Sequence, residues 1–106
     1  MAGEESGYVL LWEFRVRPGL EAEFETAYGP RGAWASLFAR AEGYLGTELL
    51  RDPASPGHYM TIDRWTSAEA YRRFREAHAG DYAALDTVCE KWTVEETALG
   101  AWTLRD

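Results

Sequence analysis

One segment of the sequence, "YMTIDRWTSAEAYRRF", places a carboxylate beside a large aromatic residue on what reads as a β-strand. Tyr59, Thr61, Asp63 and Trp65 alternate along this strand, so their side chains point to the same face. A carboxylate packed against an indole loses hydration, which raises its pKa and makes it a candidate general base. The chemistry that this face suggests is proton abstraction from an aromatic ligand.

Other interpretations of the two candidate bases stay open. Asp63 could instead form an ion pair with Arg64 or Arg72, or accept from a backbone donor. His78 lies on the inward stripe of the following helix and titrates near neutrality, so it is the second candidate base. A histidine at such a position is also typical of a hydrogen-bonded core residue.

A flat ligand would need an aromatic pocket, and the sequence has the residues to build one. Binding sites are mostly apolar and aromatic, with a few placed polar groups. Trp65 and Tyr71 stand nearest to the candidate bases in the sequence. Further candidates for contact with the ligand are Trp12, Trp34, Phe38, Tyr59, Thr61 and Phe74. The same side chains would also serve as a well-packed core.

Periodicity and turn signals predict six elements that must position these residues. The order is strand, helix, strand, strand, helix, strand. The strands are predicted over residues 8–16, 44–51, 58–65 and 97–104. The first helix is predicted over residues 20–41 with a break at 29–32, and the second has a capping box at Thr66 and Glu69 and a break near Gly80. With right-handed crossovers this order gives a ferredoxin-like βαββαβ fold of the α+β class, a four-stranded antiparallel sheet with both helices on one face.

The length of 106 residues fits one domain, predicted over residues 8–106, after a flexible N-terminal arm of residues 1–7. Both faces of the sheet are apolar, because Val9, Leu11, Met60 and Ile62 point away from the helices. An exposed apolar face favours association. We therefore expect a homodimer formed through the open face of the sheet.

Charge and cysteine content exclude several classes of function. A net charge of −7 argues against partners with phosphate backbones and against anionic membranes, and the aromatic residues lack the basic neighbours of an RNA-binding sheet. The sequence lacks an apolar run of the ~20 residues that span a bilayer and a signal-like N-terminus, so a cytoplasmic location is expected. Cys89 is the single cysteine, and the two histidines are far apart, so neither a disulfide nor a metal site is expected.

The segments "LWEFRVRPG", "GYLGTELLRDP" and "YMTIDRWTSAEAYRRF" resemble the antibiotic biosynthesis monooxygenase domain family, a branch of the dimeric α+β barrel proteins, over about residues 8–102. The resemblance implies a pocket inside each protomer and cofactor-free oxidation of phenolic polycyclic aromatics to quinones by O₂. Trp65 matches the family's tryptophan at the end of the third strand, and Tyr71 matches its tyrosine on the first turn of the helix. Thr61 stands where those enzymes carry an asparagine.

The haem-degrading branch of this fold matches less well. Those proteins carry an asparagine where Trp12 aligns and a haem-binding histidine where Ala84 aligns, and His78 lies about two turns earlier. Two functions therefore remain open. The first is a cofactor-independent monooxygenase acting on a phenolic or quinol-like aromatic, and the second is a non-catalytic small-ligand binder or accessory barrel protein.

Overall fold

The computed structural model of the protein describes residues 7–105, which form an antiparallel sheet covered by helices on one face. The strand order is β2-β3-β1-β4, and the bounds are β1 Tyr8–Val16, β2 Tyr44–Arg51, β3 His58–Trp65 and β4 Thr93–Thr103. The ferredoxin-like prediction is confirmed. Residues 1–6 lie outside the described residues, so the flexible arm and the extent of the single domain stay predictions.

The last strand begins earlier than predicted, at Thr93 instead of residue 97. A short 3-10 turn, Glu90–Trp92, leads directly from the last helix into the strand. Thr93 already pairs with Val16 at the end of β1. The β-branched pair Thr93 and Val94 was a strand signal that the prediction overlooked.

Four helical segments lie over the sheet: α1 Glu21–Tyr28, α2 Ala33–Phe38, α3 Ala68–Ala77 and α4 Ala79–Cys89. The break between α1 and α2 is confirmed. The break between α3 and α4 falls at His78 instead of Gly80, which lies inside α4.

The predicted capping box at the start of α3 is wrong. The hydroxyl of Ser67, not of Thr66, accepts the backbone N–H of Ala70 at 3.1 Å. Thr66 still belongs to the strand end, because its N–H donates to the Gly43 carbonyl at 2.8 Å. Glu69 is engaged by Arg72 instead of reaching back to the cap.

Because side chains alternate along β3, its candidate functional residues lie on the face of the sheet that the helices cover. Tyr59, Thr61, Asp63 and Trp65 are all buried, whereas the residues between them are only partly buried. The helices contribute aromatic rings to the same core, including Phe24, whose ring stacks 4.2 Å from that of Tyr28. The predicted shared face is confirmed.

The opposite, open face of the sheet is apolar in the middle and more exposed at its margins. Val9 is 8% exposed, and Leu11, Met60 and Ile62 are partly buried. At the margins Leu50 is 47% exposed and Trp102 is 56% exposed.

An ionic cluster also lies on the open face. The imidazole of His58 hydrogen-bonds Glu13 through Nε2 at 2.5 Å and Asp52 through Nδ1 at 2.9 Å. The bonds to Asp52 and Glu13 raise the pKa of His58 above its ordinary value. This histidine therefore retains its positive charge to higher pH than a free imidazole does.

Candidate functional site

A cavity lies between the helices and the covered face of the sheet. It is lined by seven aromatic residues, Trp12, Phe14, Tyr28, Trp34, Phe38, Tyr71 and Tyr82, and by five polar ones, Thr47, Thr61, Asp63, Asp86 and Glu96. The cavity volume is only about 40 Å³. Ligand pockets usually span ~300–1,000 Å³. A multi-ring ligand would therefore require side chains at the mouth to move.

Asp63 lies on the floor of this cavity and is 7% exposed. Its strand has neighbours on both sides, and Asp63 pairs with Leu10 of β1 and Thr47 of β2. Thr47 donates its hydroxyl to Asp63 Oδ1 at 2.8 Å. Burial raises the pKa of Asp63 to about 6, and the Thr47 hydrogen bond opposes part of that rise. The predicted pairing with a nearby arginine is wrong, since Arg64 binds Glu48 and Arg72 binds Glu69 and Glu76.

Tyr44 reaches Thr47 because β2 contains a bulge. The register shifts between Tyr44 and Gly46, and Gly46 has a φ of 142°, a conformation that side chains rarely adopt. In a regular strand, residues three apart would face opposite sides. The bulge instead puts Tyr44 and Thr47 on the same face, where their hydroxyl oxygens are 2.6 Å apart.

Trp65 lies behind the cavity wall and is fully buried, at 0% exposure. Its ring packs against Tyr71 at 5.2 Å and Phe38 at 5.7 Å between centroids, and both of those residues line the cavity. Its indole N–H has no hydrogen-bond partner within residues 7–105. A buried donor without a partner is unfavourable, and an acceptor atom on a ligand could satisfy it once the wall opens.

Tyr71 and Tyr82 line the helix side of the cavity, and Arg75 contacts both of them from outside the lining. The Arg75 guanidinium donates to the Tyr71 hydroxyl at 3.1 Å and lies 3.8 Å from the centre of the Tyr82 ring. Burial raises the pKa of Tyr82 well above its ordinary value. Tyr82 is therefore a hydrogen-bond donor at neutral pH instead of a base.

The charged residues that line the cavity are all acidic. Asp86 of α4 and Glu96 of β4 join Asp63. Burial, followed by the nearby charge of Asp86, raises the pKa of Glu96. An anionic ligand would meet repulsion here, so the electrostatics favour a neutral or cationic one.

The structure brings most predicted site residues together, but not all of them. Asp63, Tyr71, Trp12, Trp34, Phe38 and Thr61 line the cavity. Phe74 and Trp65 form the layer behind it. Tyr59 is turned away toward α1, where its hydroxyl donates to Glu25 at 2.5 Å. His78 sits at the junction of α3 and α4, with its ring 5.4 Å from that of Phe74 and outside the lining.

Several lining residues were missed by the sequence reasoning. Thr47 was missed because the sequence does not show which residue of β2 lies opposite Asp63. Glu96 was missed because β4 was predicted to begin after it. Tyr82 was visible as part of the inward helical stripe, and Asp86 follows it by one helical turn.

Two further observations concern metal ions and membranes. Within residues 7–105, no cluster of histidine, cysteine, aspartate and glutamate side chains could hold a metal ion. The helices of this same region are too short or too polar to cross a membrane.

Comparison with known proteins places this architecture in a family. The model of the antibiotic biosynthesis monooxygenase family matches residues 7–82. Among solved structures, an asparagine-to-alanine variant of SnoaB, a cofactor-independent oxygenase from Streptomyces nogalater, is 26% identical, with a TM-score of 0.78 and 95% of each chain covered. Unsubstituted SnoaB is 27% identical, with a TM-score of 0.74 and the same coverage.

More distant structures share the fold alone. A protein from Pseudomonas aeruginosa is 13% identical, with a TM-score of 0.70 over 97% of this chain and 98% of its own. Among curated proteins, none matches the sequence at a significant level. The family model covers well over half of the residues, and the chain therefore belongs to the antibiotic biosynthesis monooxygenase family.

Proposed function

We propose that this protein is a cofactor-independent monooxygenase that oxidises a phenolic, polycyclic aromatic or quinol-like substrate with O₂. The observation that carries this proposal is the environment of Asp63. Its carboxylate is almost fully buried among aromatic side chains, is bound by the neutral hydroxyl of Thr47, and has its pKa raised to about 6. A base of this strength operates close to neutral pH. The likeness to SnoaB supports the same reaction class.

The reaction can be written with the side chains in defined roles. Asp63 accepts the proton of a substrate phenol, leaving an electron-rich phenolate. The phenolate ring donates electrons to O₂, a carbon–oxygen bond forms, and loss of water leaves a quinone carbonyl. For an anthrone the balance is one anthrone and one O₂ giving one anthraquinone and one water.

Other residues bind the substrate and hold its reacting oxygen. The unpartnered indole N–H of Trp65 is the donor proposed for a substrate oxygen, which requires Phe38 and Tyr71 to shift from the wall. Tyr71 and the flat ring of Trp12 are proposed to contact the substrate rings. Thr61, which lines the cavity, offers a hydroxyl where the family's asparagine offers an amide.

The test is oxygen uptake with a panel of anthrones and hydroquinones, measured by an oxygen electrode. We expect uptake of one O₂ per anthrone, with no O₂ returned on addition of catalase because the second oxygen atom leaves as water. Trp65→Phe and Tyr71→Phe should abolish uptake while the fold is retained. Trp92→Phe is the matched control, since Trp92 lies in the 3-10 turn outside the cavity lining. Uptake no faster than in protein-free buffer, or equal in Trp65→Phe, would overturn the proposal.

The narrowness of the cavity favours one other candidate function, a non-catalytic binder of small ligands or an accessory barrel protein. Only about 40 Å³ is open to the centre of a water molecule. A binder would quench tryptophan fluorescence on adding an aromatic ligand, without oxygen uptake, and Asp63→Asn would leave its affinity unchanged. A monooxygenase would lose turnover in the same variant. His78 does not line the cavity, which gives no support to haem binding there.

We also propose that two protomers pack through the open faces of their sheets. The exposed Leu50 and Trp102 at the margins of that face support this arrangement. Sedimentation should give twice the protomer mass of 12.0 kDa, and Trp102→Arg should shift it toward one protomer. Val88→Arg, an exposed position on α4, is the control. A parent protein that sediments as a monomer would contradict this assembly. The cytoplasmic location stays a prediction.

A further inference from the structure

We propose that Thr47 and Tyr44 are positioning residues that orient the Asp63 carboxylate toward the cavity and stabilise its ionised form. The three side chains form a hydrogen-bond chain from the surface-side tyrosine to the buried carboxylate. The distances are 2.6 Å between the Tyr44 and Thr47 hydroxyl oxygens and 2.8 Å from Thr47 Oγ1 to Asp63 Oδ1.

The direction of the chain follows from the number of protons. A threonine hydroxyl has one proton to donate, and Thr47 donates it to the carboxylate. Its oxygen must therefore accept from the Tyr44 hydroxyl. Burial raises the pKa of Tyr44, so the phenol remains a donor at neutral pH. A hydroxyl whose oxygen accepts one hydrogen bond donates the next more strongly.

The geometry also fixes which oxygen of Asp63 faces a ligand. Thr47 binds Oδ1 from the β2 side, and no described residue hydrogen-bonds Oδ2. The second oxygen is therefore the one available to a substrate hydroxyl. In a nearly buried site, a single donor that fixes the carboxylate keeps it from rotating among orientations.

The chain exists because of the bulge in β2. Tyr44 and Thr47 share a face only where the register shifts before Gly46. A Cβ at Gly46 would meet no atom within 4 Å, so space alone does not demand glycine there. Its φ of 142° does.

Several other titratable groups line the cavity around Asp63. They are Tyr28 of α1, Tyr71 of α3, Tyr82 and Asp86 of α4, and Glu96 of β4. Thr47 is nevertheless the side chain whose hydrogen bond acts on the Asp63 pKa, and it lowers it. Removing that hydroxyl should therefore raise the pKa further.

The test first measures the pKa of Asp63 by carboxyl ¹³C NMR. The Asp63 signal is assigned by its absence in Asp63→Asn. We expect Thr47→Val to raise the pKa by about one unit, the amount that loss of one hydrogen bond to a charge implies. Thr47→Ser should restore the parent value. Tyr44→Phe should raise it by a smaller amount, about 0.2 of a unit, because an accepted hydrogen bond strengthens the next by roughly 10–30%. Thr93→Val is the matched control, a buried threonine on β4 that does not line the cavity.

The role of the chain in catalysis depends on the proposed function, so it is measured separately. In the kcat/KM profile, the loss of rate in Thr47→Val relative to the parent should be about fivefold greater near pH 6 than near pH 8.5, because a smaller fraction of the carboxyl is ionised at pH 6. A loss of rate that is the same at all pH values would reflect mere structural damage and overturn the assignment. An Asp63 pKa that does not move in folded Thr47→Val or Tyr44→Phe would overturn it too. A parent that consumes no O₂ but shows the expected NMR shifts would refute the proposed function alone.

Discussion

The burial of Asp63 predicts that this carboxylate destabilises the fold at neutral pH, and that Asp63→Asn stabilises it. The pKa of Asp63 rises from its ordinary value of 3.8 to about 6. The group therefore favours folding below pH 3.8, where it is protonated in both states, and this contribution is lost as the pH rises through about 6. A shift of about 2.2 units, at 1.36 kcal/mol per unit, corresponds to about 3 kcal/mol.

Denaturant unfolding at several pH values, at one fixed protomer concentration, measures this effect. The folded protein loses the Asp63 proton between about pH 5 and pH 8. Over this range the free energy of unfolding of Asp63→Asn should therefore gain about 1.4 kcal/mol relative to that of the parent. The amide oxygen of the variant can still accept the Thr47 hydroxyl. Asp81→Asn, which removes an exposed partner of Arg40, is the control for loss of a surface ion pair, a change worth under about 1 kcal/mol. An advantage of Asp63→Asn that is constant with pH would refute the burial of an ionisable carboxylate there.

Three other predictions concern charge and capping. Because the pKa of His58 is raised, its charged form stabilises the fold fully below pH 6.5, and this contribution is lost as the pH rises through the raised pKa. In denaturant titrations, the stability advantage of the parent over His58→Gln should therefore shrink between about pH 6 and pH 9. Asp86→Asn combined with Glu96→Gln should improve binding of a carboxylated aromatic severalfold relative to its neutral analogue, in fluorescence titrations at low salt, and an unchanged ratio would contradict electrostatic selection. Ser67→Ala should lower the free energy of unfolding by about 1 kcal/mol and Thr66→Ala by less, and the reverse order would restore the predicted cap.

Much of the fold was predictable because its signals are local. The alternation of Tyr59, Thr61, Asp63 and Trp65 placed these residues on the covered face, and the bounds of the first three strands followed from β-branched and aromatic runs ended by turn residues. The cap of α3 was less predictable, because Thr66 and Ser67 are both good caps and only the pairing of Thr66 with Gly43 decides between them.

The site was harder to predict because its polar contacts depend on register. Trp12, Trp34, Phe38 and Tyr71 were recognisable as aromatic lining, but the same pattern describes a core. The partner of Asp63 was not recognisable, because only the register of β2 against β3 places Thr47 opposite it. The bulge that brings Tyr44 to the same face involves a glycine with positive φ. His78 was misleading, since a helical stripe shows which residues point inward but not where a helix bends.

The balance of forces on Asp63 explains why burial and a single hydroxyl occur together. A solvated carboxylate with its usual pKa is roughly a hundredfold weaker as a base than one with a pKa near 6. A carboxylate buried without any donor would be protonated to a larger extent at neutral pH, and its protonated form can accept no proton. Under the proposed function, one neutral donor from Thr47, in place of an arginine, would leave Asp63 both ionised and able to act as a base. The cost of about 3 kcal/mol is a large share of the ~5–15 kcal/mol that stabilises a typical domain. Such a cost is expected where the group acts on a ligand, because a residue that served packing alone would be more stable as asparagine or threonine.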